Sequence, residues 1–304
     1  MHKPVPAPTS SPDPVGLLAI AAAAALWAVA AAVARTVFDR GVDPLALAAS
    51  RSVIAMVGLA ALPAAWRKPE VSRPLSVILL GLSITSVNAV YYLAIQRLDV
   101  AVALVLQYTA PALVVAWAAF ALRRPPTGDV LGALGLTFTG VVLVSGILAG
   151  VEGIDGLGVL FGLASAVLFA AYTLLSEQTG RTYGVIGALF RGFVAATTMW
   201  TIFFAARGFP EALVEPRNVP VVLFVGIAGT LMPFLLFLWG VQRVASERAA
   251  IAATLEPIVA AVVAWVWLDQ VLTVFQLLGG LLVLVAIASL QVRHRRIVAP
   301  MPEP

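Results

Sequence analysis

The stretch TLEPIVAAVVAWVWLDQ, Thr254 to Gln270, sets a carboxylate and a helix breaker, Glu256 and Pro257, deep inside an apolar run long enough to cross a bilayer. Both residues are unfavourable there. An ionisable group at the bilayer centre costs about 2.5–3.5 kcal/mol on insertion scales, so it faces a partner or a wet cavity. Proline removes a backbone donor and kinks the helix, which lipid tolerates only where neighbours or water satisfy the freed carbonyl. The plain alternative is a packing kink beside a neutralised glutamate. The rule that intramembrane charges serve function favours a solute pathway.

Composition sets the class around that stretch. Hydrophobic residues make up 61% of the chain and charged residues 11%, against roughly 25% charged in soluble domains. The chain therefore reads as an integral membrane protein. Its 304 residues leave room for about ten spans at about 20 residues each. There are no cysteines, and the only histidines, His2 and His294, lie in terminal segments. Thiolate sites and intramembrane histidine chemistry are excluded, and no metal or cofactor is implied. The net charge of +4 is spread over loops, which argues for membrane topology and against nucleic acid.

Residues 1–14 carry five prolines, from Pro4 to Pro14, and are expected to form an extended, disordered tail. The apolar run from Val15 to Ala34 exceeds a signal-peptide core, so it reads as an uncleaved first span. The runs place ten transmembrane helices at 15–34, 44–65, 75–96, 100–122, 130–150, 156–177, 184–206, 219–242, 247–268 and 271–292, an all-α polytopic protein. A basic tail, 293–304, follows. Twelve of the 19 Lys and Arg residues fall on one side of this arrangement, five on the other, and Arg51 and Arg191 lie within spans. By the positive-inside rule both termini are cytoplasmic and the protein sits in the cytoplasmic (inner) membrane.

The two halves of the chain resemble each other. Gln96, Arg97 and Pro111 match Gln242, Arg243 and Pro257 at one constant spacing, and Leu26-Trp27-Ala28, Arg51 and Gly132 resemble Leu168-Phe169-Ala170, Arg191 and Gly279 at nearby spacings. This is the pattern of a duplicated five-helix unit, 15–150 and 156–292. Five is odd, so the second copy enters from the opposite side. Inverted repeats of this kind place a solute site near the midplane between the copies.

The run LEPIVAAVVAWVWLDQVLT, with LWA in helix 1, Arg51 and Arg191 in helices 2 and 7, and TAPALVVAW in helix 4, resembles the EamA-type drug/metabolite transporter superfamily. The resemblance covers about Val15 to Val292 and is greatest to YddG-type exporters of aromatic amino acids. It implies a ten-helix basket with a cavity lined by helices 1, 3, 4, 6, 8 and 9. One departure is Arg123-Arg124-Pro125-Pro126, where the family often has an acidic residue, so a charge relay symmetric between halves is not expected.

Within that frame the residues select candidates. Helix 3 carries Thr85, Asn88 and Tyr92 on one face beside Tyr91; Asn88, Tyr91 and Tyr92 read as cavity groups, and Thr85 as an interhelical hydrogen bonder. Gln107 and Tyr108 precede Pro111, the counterpart of the Glu256-Pro257 pair. Broken turns there free carbonyls of the kind that coordinate amines or cations. Trp27, Phe169, Tyr172 and Trp239 are retained because their helices are expected to line the cavity. Pro233 is a third break. Trp200, Trp265 and Trp267 fit an interfacial belt. Arg51 and Arg191 suit anionic cargo, yet their repeat equivalence and peripheral helices favour structural capping. The glycines of Gly158 and Gly162 read as a close-packing pair.

Aromatic rings, hydroxyls, an amide and freed carbonyls suit a zwitterion. The expected activity is therefore export of aromatic or hydrophobic amino acids and similar amphipathic solutes by alternating access. One alternative is a proton-coupled exporter of organic cations that uses Glu256. A more remote one is a non-transporting membrane scaffold. An intramembrane enzyme lacks the clustered acid–base groups it would need. The expected partners are a small-molecule solute and the bilayer; a monomer is compatible with the pattern, which sets no oligomeric state.

Overall fold

Apolar residues on every side of a helix leave it only other helices and lipid as neighbours, and small residues decide which neighbours come close. The computed structural model describes residues 14–69, 71–110, 112–114, 117, 128–144, 155–244, 252–253 and 255–298. The described residues contain helices and no strand: α1 (Pro14–Phe38), α2 (Pro44–Ala60), α3 (Pro74–Arg97), α4 (Val100–Gln107), α5 (Gly128–Val144), α6 (Gly156–Tyr183), α7 (Val185–Arg207), α8 (Val219–Val241), α9 (Leu255–Leu268) and α10 (Val274–Val298). Pro111, Arg123 to Pro126, residues 1–13 of the expected N-terminal tail and 299–304 of the expected C-terminal tail lie outside the described residues.

Five helices, α1, α3, α6, α7 and α8, are long and apolar enough to cross a membrane. Of the others, α2 falls short of its expected span for a local reason, while α4, α5 and α9 border residues outside the described set. Helix α2 was expected to reach residue 65 but stops at Ala60, because Leu62 precedes a proline and is extended, and Pro63 opens a 3-10 turn, Pro63–Trp66. Its 17 residues cover about 26 Å, less than the ~30 Å hydrocarbon core. Helix α9 is described from Leu255 and reaches its expected limit at Leu268. It ends where Asp269 takes a positive φ of 53° and the Gln270 N–H returns to the Ala264 carbonyl at 3.1 Å, a left-handed helix stop. The Gln270 side chain then accepts from the Val100 N–H at 3.0 Å, capping α4. Helix α10 continues through the basic residues expected to form a tail after 292.

The principal pairings are α1 with α8 and α9, α6 with α3 and α4, α2 with α8, α7 with α3, and the pairs α2–α7, α4–α9 and α5–α10. Exchanging each helix for the one five places along returns these pairings, whereas the further contacts of α6 with α7 and of α2 with α3 have no such counterpart among the described residues. Alanines make the central helix α1 thin: Ala23, Ala24, Ala28, Ala32 and Ala34 are buried. Gly158 and Gly162 pack α6 on Leu98 and Leu106 as expected of a close-packing pair. Trp200, expected at the interface, is instead buried (5% exposed) and stacks on Phe204. Trp265, Trp267, Phe138 and Leu281 present apolar surface outward, which fits lipid as the surrounding solvent.

Two consequences are measurable. A Cβ on Gly140 would lie 2.7 Å from the Gly279 carbonyl oxygen, and one on Gly279 2.6 Å from that of Gly140, whereas Gly132 has open space. Gly140→Val or Gly279→Val should lower stability by about 1–3 kcal/mol, and Gly132→Ala should not; thermal unfolding of the detergent-purified protein reads this. Outside the spans, Arg97 donates to Asp155, which also caps α6 through Leu157 and Gly158. The Arg97 hydrogen bond holds the Asp155 carboxyl below its usual range. Its contribution is therefore present above the ordinary carboxylate pKa and lost as pH falls through the lowered value. Asp155→Asn should melt earlier than wild type at pH 7, and the difference should close under strongly acidic conditions.

Candidate functional site

Each proline inside a helix withholds an N–H from the carbonyl four residues earlier, and the structure shows where two such carbonyls turn. Pro257 strands the carbonyl of Ala253. It accepts from the Tyr108 hydroxyl of the α4 end at 3.1 Å. The same hydroxyl lies 2.8 Å from Glu256 Oε2. A phenol has one proton for these two acceptors. With Glu256 ionised the proton goes to the carboxylate; with Glu256 protonated, the acid donates to the phenol oxygen and the phenol turns to Ala253. The group is thus built to hold or release one proton without losing its hydrogen bonds.

Pro233 does the same for Gly229 in α8. The preceding turn, Ile227–Leu231, is π-helical, a form common at functional sites. The Gly229 carbonyl accepts from Arg51 Nη2 at 3.4 Å, a long contact. Arg51 Nε donates to Thr230 Oγ1 at 2.8 Å, and Nη1 to the Tyr92 hydroxyl at 2.9 Å. Thr230 is fully buried and passes its own proton to the Val225 carbonyl at 2.9 Å. Tyr92, 2% exposed, is braced by the edge of Phe38. Arg51 lies within electrostatic reach of Glu256, Tyr91 and Tyr172.

The structure thus brings Tyr91, Tyr92, Tyr172 and Glu256 into one electrostatic neighbourhood around Arg51, with Tyr108 joined to it through Glu256. The other candidates stand elsewhere. Trp27 meets Phe234 edge-on at 5.5 Å and Phe237 at 5.7 Å, an aromatic joint between α1 and α8. Asn88 donates to Ile84 of its own helix at 2.7 Å. Gln107, half-buried at the α4 end, makes no side-chain hydrogen bond to a described residue. Phe169 is 38% exposed and lies against Tyr172. Trp239 is 40% exposed, with the Arg243 guanidinium 3.7 Å above its ring. Thr85 meets Met199 of α7, an interhelical contact as expected. Pro233 and Pro257 are buried.

Sequence reasoning passed over Thr230 and Gly229 and set Arg51 aside as a cap. The available signal was Pro233 itself: four residues before it stands the carbonyl it frees, next to a hydroxyl residue. Arg191, the repeat counterpart of Arg51, does act as a cap. It donates to the carbonyls of Ala65 at 2.9 Å, Gly187 at 3.1 Å and Arg67 at 3.0 Å, closing the loop after α2. The freed carbonyls expected to receive a substrate amine are, in this conformation, engaged by Tyr108 and Arg51.

Comparison with known proteins places this geometry. A solved crystal structure superimposes on 93% of this chain and 98% of its own with a TM-score of 0.60 at 20% identity, which speaks to fold alone. An uncharacterized transporter of Archaeoglobus fulgidus is 29% identical over 239 residues, 75% of this chain and 80% of the relative. The threonine/homoserine exporter RhtA of Escherichia coli strain K12 is 30% identical over 207 residues, 67% of each chain. The uncharacterized inner membrane transporter YicL of Salmonella typhimurium strain LT2 is 27% identical over 217 residues. Residues 14–146 and 156–291 each match the model of the EamA-like transporter family, and with two such matches and this helical membrane architecture the chain belongs to the EamA-like transporter family, as a membrane transporter and not an enzyme.

Proposed function

We propose that this protein exports amino acids across the cytoplasmic membrane by alternating access. The observation that carries the reading is the Tyr108–Glu256 hydrogen bond at 2.8 Å, which joins the α4 and α9 ends of the two family repeats. A bond at that junction must remake itself when the repeats rock against each other, so it couples the solute site to the conformational change. The recurrence of most helix pairings on five-place exchange supports inverted units, 15–150 and 156–292. The shorter helices then complete ten spans together with their flanking turns, with both termini cytoplasmic as the Lys and Arg distribution favours.

Aromatic and hydrophobic amino acids are the cargo the tyrosines near Glu256 and Arg51 suit best: rings take the side chain and the charged groups take the zwitterion. A second reading is export of small hydroxylated amino acids. It is favoured by the two hydroxyls on Arg51, those of Thr230 and Tyr92, and by the similarity to RhtA, whose name states threonine and homoserine. Counterflow in proteoliposomes with labelled phenylalanine, tryptophan, threonine and homoserine, and with tetraphenylphosphonium as the organic cation, decides among these. Exchange of the aromatic pair supports the first reading. Exchange confined to threonine and homoserine replaces it with the second, and exchange of the cation alone overturns amino-acid export.

Glu256 is the proton carrier in this scheme. Glu256→Gln should retain counterflow at saturating substrate, which needs no net drive, with a raised KM, and lose accumulation driven by a pH gradient. Pumping by Glu256→Gln at the wild-type rate would remove the carboxyl from the coupling. Tyr108→Phe leaves Glu256 and the Ala253 carbonyl without their donor, and should lower stability by about 1–3 kcal/mol in a thermal-shift assay.

A further inference from the structure

A membrane-embedded guanidinium with neutral partners is an unfinished interaction. Guanidinium carries five N–H donors, and three of the five on Arg51 are engaged, by Thr230, Tyr92 and the distant Gly229 carbonyl. Two N–H groups remain without a partner among the described residues. None of the ion pairs among those residues involves Arg51; they are Arg35–Asp39, Arg97–Asp155, Arg181–Glu177 and Arg217–Glu215, all toward helix ends. A cation away from bulk water pairs with an opposite charge or with carbonyls, and among the described residues no carboxylate forms an ion pair with Arg51.

The contrast with Arg191 sharpens this. Both arginines occupy the same place in their repeats, yet Arg191 ends on three backbone carbonyls and the face of Tyr183 at 4.7 Å. Carbonyl dipoles satisfy a cation and leave little for a ligand. Arg51 ends on two hydroxyls, one distant carbonyl and the Tyr92 ring at 5.3 Å, and its fork is held from α3 and α8, with Thr230 and Tyr92 themselves fixed by Val225 and Phe38. A rigid fork with spare donors is the geometry that receives a carboxylate bidentately. Glu256, within reach of its charge, is tied to Tyr108 and forms no ion pair with it. The two opposite charges are thereby kept apart, which leaves both available to a ligand bearing both signs.

Resting on the amino-acid reading above, we infer that Arg51, positioned by Thr230 in the π-turn and by Tyr92, binds the carboxylate of the transported amino acid, whose ammonium group lies toward Glu256. The same anchor serves aromatic and hydroxylated amino acids alike, because it reads the backbone carboxylate and not the side chain.

The test uses the full chain in proteoliposomes, with labelled phenylalanine and labelled threonine each competed by its own carboxamide, which keeps the ammonium and removes the carboxylate charge. Wild type should prefer the acid over the amide by at least about 30-fold, within the range that charge-assisted hydrogen bonds supply. Arg51→Gln should raise KM for the acid about 10- to 100-fold and bring acid and amide to near equality. Arg51→Lys, which keeps the charge and loses the fork, should fall between. Should Arg51→Gln fail to give monodisperse protein, Thr230→Val leaves the guanidinium in place but unpositioned, and should raise KM about 3- to 10-fold with little change in kcat. Acid–amide discrimination that survives in these variants overturns the anchor while leaving amino-acid export standing. Wild type that moves neither amino acid overturns both.

Discussion

A proline inside a membrane helix removes one N–H and strands one carbonyl, and no lipid can satisfy it. The described site is organised around two such carbonyls. Pro257 strands that of Ala253, which Tyr108 meets from α4. Pro233 strands that of Gly229, which Arg51 meets from α2. Each repair brings a polar side chain from one family repeat onto the backbone of the other, so the repair of a local fault ties the two halves together. The charged groups of the site, Glu256 and Arg51, sit where these repairs are made.

Close packing makes such cross-repeat contacts possible. Alanines along α1 and glycines at the α1–α8 and α5–α10 contacts bring helix axes near enough for backbone to meet backbone. Loss of that proximity would separate Tyr108 and Arg51 from the carbonyls they meet. Packing energy and site geometry are therefore one problem here, and the outward-facing Trp265, Phe138 and Leu281 show which faces were released from it.

The repeats also diverge in a way that gives the site its polarity. Arg191 is spent on carbonyls at a loop, while Arg51 keeps donors in the interior. Pro257 carries Glu256 before it, while the matching position in the first half is Ala110. One half thus supplies the guanidinium and the phenol, and the other supplies the carboxylate, the π-turn and the stranded carbonyls. A duplicated scaffold with undivided chemistry would have placed like charges opposite each other; this division places opposite ones.

Much of the fold was legible in the chain itself. Apolar runs locate helices because lipid and helix packing both demand them, the spacing of Arg97 and Pro111 to Arg243 and Pro257 exposes the duplication, and the Leu-Glu-Pro run marks α9 and its break. Span ends were less legible where backbone conformation sets them: Pro63 stops α2 at Ala60, short of the limit hydropathy gave, whereas α9 ends at Leu268 as expected. Tyr108, Glu256 and Tyr92 could be selected from residue type and helix. Which partner each would take could not, because the sequence states which groups need hydrogen bonds and the packing of distant helices decides who supplies them. That is why Arg51 and Arg191, alike in sequence and in repeat position, were read alike: only the tertiary structure set one against loop carbonyls and the other beside Thr230, leaving it donors to give.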